Sequence, residues 1–453
     1  MKSPGRATVQ GLGRFGGGAG VARFLAREGW QVTVTDLQTA EELSASVASL
    51  SDVELRFVLG GHDERDFTET DLVIANPAVG PENAYLSAAR AAGVRVASEV
   101  GLFLERAPGR VAAVTGTQGK SSTAHFLHQL LVDAHLPARL GGNIGGSLLD
   151  ELNEMGAEEL CVVELSSYQL EGLASEAVEA PLDLAIITNL REDHLERHGT
   201  VDAYHGAKVR IAGLLSEGAP LLMGADVIER ARAIAPEAME RIDPYEAGSS
   251  LRIEGGRFSL RSEPLGETEQ ARHLPPFQRE NLLLALGAAR LLGAPASLLA
   301  ASVPTLCGLS HRMEDLGELG GRRVYDNGVS TTPDSTQAAL ESLPPGVTLL
   351  AGGAPKELPI SGLIEAARAR AQHVVLFGAA AEAWAEAFRE AGCSCEVRET
   401  VAEASALAWS LAGGGGAVLF SPAAASFDQY NNFKERAMEF RSCVTSLAQT
   451  TTS

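Results

Sequence analysis

A chain of 453 residues with 37 basic against 58 acidic side chains has a formal charge of −21, a balance that opposes non-specific binding to nucleic acid or anionic membranes. Hydrophobic residues make up 45% and charged residues 21%, an ordinary globular composition, and at this length one core gives way to two or three domains. Five cysteines (Cys161, Cys307, Cys393, Cys395, Cys443) lack paired zinc spacing, and no apolar run approaches the roughly 18 residues of a membrane span, so reduced thiols in a cytoplasmic protein are expected.

The first element is a short strand, Ala7-Thr-Val-Gln10, which runs into Gly11-Leu-Gly13-Arg14-Phe15-Gly16. This is the spacing of a dinucleotide-binding turn, and Asp36 stands where a ribose-binding acid would sit. Glycines there let backbone amides approach a diphosphate at a helix N-terminus, although the same turn can simply pack a helix on a sheet. A nicotinamide-dependent oxidoreductase is one reading of it.

Short apolar runs then alternate with helix-compatible stretches: Val32-Thr-Val-Thr, Asp71-Leu-Val-Ile, Val111-Ala-Ala-Val, Leu160-Cys-Val-Val, Leu184-Ala-Ile-Ile, Thr348-Leu-Leu, Val374-Val-Leu-Phe and Ala417-Val-Leu-Phe. That rhythm predicts an α/β protein with largely parallel sheets. Breaks at Ala107-Pro-Gly109 and between Ser302 and Ser310 divide the chain into units 1–106, 107–308 and 309–453. Leu251 to Leu260 alternates as a small antiparallel hairpin, and the alanine-rich stretch 362–412 reads as two surface helices broken by one strand.

The most informative stretch begins at Val111, where a strand leads through Gly116-Thr117-Gln118-Gly119-Lys120-Ser121-Ser122 into a helix. Triphosphate chemistry needs close-approaching amides, a lysine for the β and γ phosphates and a hydroxyl for magnesium, and all three meet here. The spacing departs from the ordinary nucleoside-triphosphatase loop, which would want glycine at Val114. Two further apolar strands end in polar groups: Glu164 follows Leu160-Cys-Val-Val, and Asp193-His194 lie beyond Thr188-Asn-Leu-Arg. A carboxylate at a strand's carboxyl end can hold magnesium or face solvent, and a neutral imidazole can neighbour such a metal.

Thr115-Gly-Thr-x-Gly-Lys-Ser-Ser resembles the ATP loop of the Mur ligases, which add amino acids to a UDP-linked peptidoglycan precursor, and of the related folylpolyglutamate synthases; Gln118 stands where asparagine is usual. Glu164-Leu-Ser-Ser-Tyr-Gln-Leu and Ser426-Phe-Asp-Gln-Tyr-Asn-Asn-Phe433 are similar to segments of the branch that adds D-glutamate. The resemblance implies a Rossmann-like N-terminal domain for the UDP substrate, a central P-loop-type ATPase domain with a parallel sheet, and a Rossmann-like C-terminal α/β domain for the amino acid. It implies UDP-substrate contacts at Gly13, Arg14, Phe15, Asp36, Asn76, Pro77 and Asn143, and further ATP contacts at Asn281, Arg312 and Asp326. Amino-acid contacts are implied at Thr331, Lys356, Ser426 and Phe433. Lys208 corresponds to the lysine that the family carbamylates, joining Ser121, Glu164 and His194 around two magnesium ions; Lys120, Glu164, His194 and Lys208 form the implied catalytic set.

Four further positions depart from the family pattern. Glu280 and Leu284 flank Asn281 where the family has His-Asn-x-x-Asn, and Asn327 and Val329 replace the aspartate and lysine of Asn-Asp-Ser-Lys-Ala-Thr-Asn, leaving Asp326 as the shifted acid. The implied reaction is attack by the carboxylate of UDP-N-acetylmuramoyl-L-alanine on the γ-phosphorus of ATP, giving an acyl phosphate. The amine of D-glutamate then displaces phosphate, a cytoplasmic step of peptidoglycan and cell-wall synthesis by a monomer without nucleic-acid or membrane partners. L-Glutamate is the alternative within the family, and the oxidoreductase the alternative outside it.

Overall fold

Strands buried on both faces form the interior of each sheet, and short half-exposed strands close the edges. The computed structural model describes residues 5–13, 17–144, 147–174, 176, 182–224, 226–240, 242, 244–246, 250–355 and 358–451. The chain divides into one compact unit of Met1–Arg272 with Gln278–Leu306 and another of His273–Phe277 with Cys307–Ser453.

In the first unit, Arg6–Gln10 (β1), Gln31–Asp36 (β2), Arg56–Leu59 (β3), Leu72–Ala75 (β4) and Arg95–Ser98 (β5) form a parallel sheet in the order β3-β2-β1-β4-β5. Strand order reverses between β1 and β4, and a crevice at such a switch point lies beyond the carboxyl ends, where Gly11 to Gly13 and Asn76 are found. A second parallel sheet comprises Arg110–Thr115 (β6), Ala138–Gly142 (β7), Leu160–Glu164 (β8), Leu184–Ile187 (β9), Leu221–Met223 (β10) and Tyr245–Glu246 (β11), in the order β11-β10-β9-β6-β8-β7. β6, β8 and β9 are adjacent and read as unbroken apolar runs because helices cover both faces. The loops after these three strands therefore meet at one edge.

The expected hairpin is present as Leu251–Glu254 (β12) against Arg257–Leu260 (β13), and it gains a third antiparallel strand, Glu263–Glu267 (β14).

The second unit is built on Glu314–Leu319 (β15), Arg322–Asp326 (β16), Val347–Gly352 (β17), Ala371–Phe377 (β18), Cys395–Arg398 (β19) and Ala417–Ala423 (β20), in the order β15-β16-β20-β17-β18-β19 with only β15 antiparallel. Alternate residues serve opposite cores: Leu349, Val374, Leu376 and Leu419 pack on one face, and Leu350, Val375, Phe377, Val418 and Phe420 on the other. Phe377, Phe420 and Phe440 stack in that second core, with ring centroids 6.1 and 4.5 Å apart.

The stretch 362–412 departs from expectation. It holds three helices, Ser361–Arg370, Ala381–Glu390 and Val401–Ala412, with β18 and β19 between them. β19 has four residues, Cys-Glu-Val-Arg, too polar to stand out as a strand, and the third helix buries Val401, Ala404, Ala408 and Trp409 against the sheet instead of lying on the surface.

Candidate active site

The phosphate-type loop takes its shape from glycine geometry and from the segment after β9. Gly116 has φ +142° and a Cβ there would lie 1.9 Å from Thr188 Oγ1; Gly119 has φ +81° and its Cβ would meet Asn281 Oδ1 at 2.3 Å. Both positions demand glycine, through left-handed backbone and through close approach. Asn189 then brackets Gln118, accepting from its amide at 2.9 Å and donating to its carbonyl at 3.0 Å, while Thr188 donates to the same carbonyl. Thr117 exchanges hydrogen bonds with Arg191, at 3.0 and 3.1 Å.

Gly119 opens the helix Lys120–Asp133 without any side-chain cap. Its first-turn amides consequently point outward into the loop with the positive end of the helix dipole behind them, an arrangement suited to phosphate. Lys120 Nζ donates to Thr117 O at 2.8 Å, placing the ammonium over the loop, and Asn281 on the helix Pro276–Leu291 packs against Gly119.

Glu164 closes β8 directly across from Val114, next to the loop. It is 1% exposed; Oε1 accepts from Asn143 Nδ2 at 2.8 Å, whereas Oε2 is buried without a partner. A dehydrated carboxylate oxygen is costly unless a cation completes it, so this donor fits magnesium. Asn143, expected at a sugar diphosphate, here orients that carboxylate.

Lys208 lies on the helix Val201–Val209, which Thr200 caps by accepting from Ala203 N at 3.2 Å. Tyr204, one turn earlier, places its ring 4.6 Å from Lys208 Nζ, and Nζ donates to Gly116 O at 2.7 Å. Burial first, and then the neighbouring Lys120 charge, push the Lys208 amine down to about 6. A neutral amine thus sits against the phosphate loop.

His194 has a left-handed backbone, φ +51°, uncommon for a non-glycine residue and characteristic of functional turns. Its side chain is half-exposed, with Nδ1 3.3 Å from both Tyr168 Oη and Glu196 Oε1. Ser121 is half-buried in the first turn of its helix. Among the described residues, no group of three or more His, Cys, Asp or Glu is close enough together to hold a metal ion.

At the switch point of the first sheet, Gly11 and Gly13 have φ +89° and +67°, Asn76 Nδ2 donates to Gly11 O at 3.3 Å and a Cβ at Gly13 would lie 3.6 Å from the same nitrogen, while Asn76 and Pro77 line a crevice with Tyr168 and Arg197. Arg14 and Phe15 lie outside the described residues. Asp36 differs from the dinucleotide expectation. Its Oδ2 accepts from Leu12 N at 2.9 Å and Gly13 N at 3.3 Å, and Oδ1 from Gln38 N at 2.9 Å. The acid satisfies the turn's amides in place of reaching out to a ribose.

Arg197 was not anticipated from sequence. It grips Glu171 through Nε at 3.0 Å and Nη2 at 2.8 Å, and donates from Nη1 to Ala78 O at 3.1 Å, tying the Asn76–Val79 loop to the segment that carries His194. Arg197 lies three positions after His194 in the helix Leu195–His198, a spacing that gave the only signal in the sequence.

In the second unit, Asp326 is 0% exposed and accepts from Arg441 Nε at 2.6 Å and Gly328 N at 2.8 Å, with His311 Nδ1 at 2.7 Å. The carboxylate expected to face a nucleotide is taken up within its own unit, because a buried charge needs partners on every side. Arg312 follows His311 and is half-buried. Ser426 is buried and Phe433 starts the helix Phe433–Thr451, its ring edge-on to His311 at 6.4 Å; Lys356 lies outside the described residues. The fully buried Arg436, also unanticipated, donates to Ala425 O at 2.9 Å and Ala424 O at 3.0 Å, holding the loop beside Ser426.

Family models match in three segments: a MurD-like Mur ligase N-terminal domain at residues 5–98, a Mur ligase middle domain at 114–252 and a Mur ligase glutamate ligase domain at 311–424. UDP-N-acetylmuramoylalanine–D-glutamate ligase from Geobacter metallireducens is 36% identical, covering 97% of both chains, and the protein of that name from a Roseiflexus species is 35% identical, covering 97% of this chain and 98% of the other. Among solved structures, the UDP-N-acetylmuramate-alanine ligase MurC of Thermotoga maritima superposes with a TM-score of 0.61 at 18% identity, covering 98% of this chain and 100% of the other. MurF ligase from the same organism, in complex with ADP, gives 0.58 at 17% identity and 98% coverage of each. The chain thus has the three-domain Mur ligase fold and belongs to the Mur ligase family of ATP-dependent, amide-bond-forming ligases, in its MurD-like branch.

Proposed function

We propose that this chain joins D-glutamate to UDP-N-acetylmuramoyl-L-alanine at the expense of ATP, through an acyl phosphate, in the cytoplasmic synthesis of peptidoglycan. The observation that carries the reading is the meeting of an uncapped helix start, Lys120 and the orphaned oxygen of Glu164 around one glycine-shaped loop. Domains of 1–106 for the UDP substrate, 107–308 for ATP and 309–453 for the amino acid, acting as a monomer, complete the proposal. No helix among the described residues is long and apolar enough to cross a membrane.

A carboxylate cannot expel oxide, so the γ-phosphoryl group must first be transferred to it. The amides of the Lys120–Asp133 helix and the Lys120 ammonium hold the β and γ phosphates and neutralise charge that grows on the transferring group. Glu164 with Ser121, and His194 with a carbamylated Lys208, would hold two magnesium ions, which supply further charge neutralisation when bound. Asn143 fixes Glu164, and Asn281 packs beside the loop where the nucleotide enters. Thr331, Lys356, Ser426 and Phe433 receive the amino acid, with Arg436 fixing the loop next to Ser426.

The test is phosphate release from ATP with UDP-N-acetylmuramoyl-L-alanine, comparing D-glutamate, L-glutamate and no amino acid. Release that depends on D-glutamate is expected. Equal release in all three arms defeats the ligase reading, and dependence on L-glutamate alone transfers it to the other enantiomer.

Arg197 gives a second test. Arg197→Met severs charge-assisted bonds to the Asn76–Val79 loop, each of the order of 1.5–3 kcal/mol when buried and less at this partly open position. The expected result is a rise of about tenfold in KM for the UDP substrate, with ATP affinity unchanged. Steady-state titration of each substrate separates the two, and an unmoved UDP-substrate KM removes the role.

A further inference from the structure

The second unit contains a buried chain of hydroxyl groups that no catalytic step uses. Asn327 Nδ2 donates to Ser421 Oγ at 2.9 Å; Ser421 Oγ lies 2.8 Å from Thr336 Oγ1; Thr336 Oγ1 lies 2.7 Å from Ser330 Oγ; Ser330 Oγ lies 2.6 Å from Ser335 Oγ; and Ser335 Oγ donates to Thr332 O at 2.7 Å. Asn327, Ser330, Thr336 and Ser421 are all buried. The chain links the end of β20 to the turn after β16 and to the start of the helix Pro333–Glu341.

Its two ends fix the direction of every proton. Met313 N donates to Asn327 Oδ1 at 3.1 Å, so the oxygen of that amide is assigned and the NH2 group must face Ser421. At the far end, a carbonyl can only accept, so Ser335 spends its proton on Thr332 O. Ser330 must then donate to Ser335, and Thr336 donates to Ser330 at 2.7 Å in preference to its longer alternative acceptor, Ser421 O at 3.2 Å, so Ser421 donates to Thr336 and its Oγ accepts from Asn327. Five contacts are filled by five protons, one from the amide and four from hydroxyls.

An ionised carboxylate at position 327 has no proton to give. Four hydroxyl protons would then face five contacts, and one pair of oxygens would be left lone pair to lone pair, either among the buried Ser421, Thr336 and Ser330, where that is costly, or at the half-buried Ser335–Thr332 end, where the turn ahead of the helix loses its tie. The Asn327 departure noted in the sequence thus has a structural counterpart.

We propose that Asn327 is a positioning residue: through this chain it holds Ser330-Thr331-Thr332 in place for the incoming amino acid, and it does so because it is an amide and not an acid. The proposal rests on the reading of Thr331 as an amino-acid contact. Asn327 itself touches no reacting atom; its effect passes through Ser421, Thr336 and Ser330.

The experiment compares Asn327→Asp and Thr336→Val, which each remove one donor, with Thr336→Ser, which keeps it. Hydrogen exchange of the peptide spanning residues 328–336 is measured alongside the KM for glutamate, ATP and the UDP substrate. Both donor-removing variants are expected to exchange faster over that peptide and to raise the glutamate KM by about tenfold, with the other two KM values unmoved and Thr336→Ser close to the parent chain. Unchanged exchange in Asn327→Asp overturns the proton-ordered chain. Faster exchange with all three KM values raised together overturns its link to the amino acid. If the parent chain shows no glutamate-dependent turnover, the functional reading fails by itself, and the exchange arm still decides whether the chain holds the loop.

Discussion

Lys120→Met should reduce substrate-dependent phosphate release by about a thousandfold while leaving the fold and the binding of the UDP substrate intact. The ammonium lies over the loop, 2.8 Å from Thr117 O, and it projects from the first residue of a helix whose amides already favour negative charge. A unit charge about 4 Å from a developing charge, at an effective dielectric near 20, contributes about 4 kcal/mol. That equals roughly three decades in rate. The amides alone are weaker partners, so they retain ATP binding but not the transition-state preference that gives turnover.

Three measurements check this: kcat/KM for phosphate release, calorimetric affinity for the UDP substrate, and the thermal midpoint. A loss of less than about tenfold would show that the helix amides and metal carry the phosphoryl charge without the lysine. The side chain is half-buried at the loop surface, so loss of stability is not the expected route to inactivity.

The strands legible in the sequence were the inner ones. Val111–Val114, Leu160–Val163 and Leu184–Ile187 are covered on both faces and so carry continuous apolar runs. All six edges of the three larger sheets, β3, β5, β7, β11, β15 and β19, escaped notice. An edge strand hydrogen-bonds on one side and faces water on part of its surface, and sequences such as Arg56-Phe-Val-Leu or Cys395-Glu-Val-Arg carry charges for that reason. The phosphate loop and Glu164 were legible because their chemistry is local or follows a strand end, whereas Lys208, inside a helix, stood out only through the family resemblance. Arg197, Arg436 and the hydroxyl chain were not, because their partners are backbone carbonyls, the Glu171 carboxylate and other hydroxyls, which leave no recognisable spacing in the sequence. Asp36 and Asp326 show the converse: an acid in the right place in the sequence turned inward to satisfy its own unit.

Lys208→Met should yield a protein that is less active and more stable. In the folded chain the amine titrates near 6 against an ordinary value of 10.5, so between those values the unfolded chain binds a proton that the native state has released. Stability must therefore rise with pH across that window, and at neutral pH the native state bears the cost of holding the lysine neutral. Methionine fills the same space beside Tyr204 without that cost, so in CO2-depleted buffer the thermal midpoint at pH 7 should increase and its pH slope between about 6 and 10 should flatten. A neutral amine is also what reaction with CO2 requires, and the resulting carbamate would be an anionic oxygen donor next to Glu164. Turnover should accordingly fall by at least about a hundredfold, the scale for losing a group that tunes a metal site. In the parent chain, a carbon-13 carbamate signal from labelled bicarbonate should appear and be absent from the variant. A variant that keeps full turnover would remove carbamylation from the mechanism, and one that is destabilised at pH 7 would show that Lys208 is not held neutral.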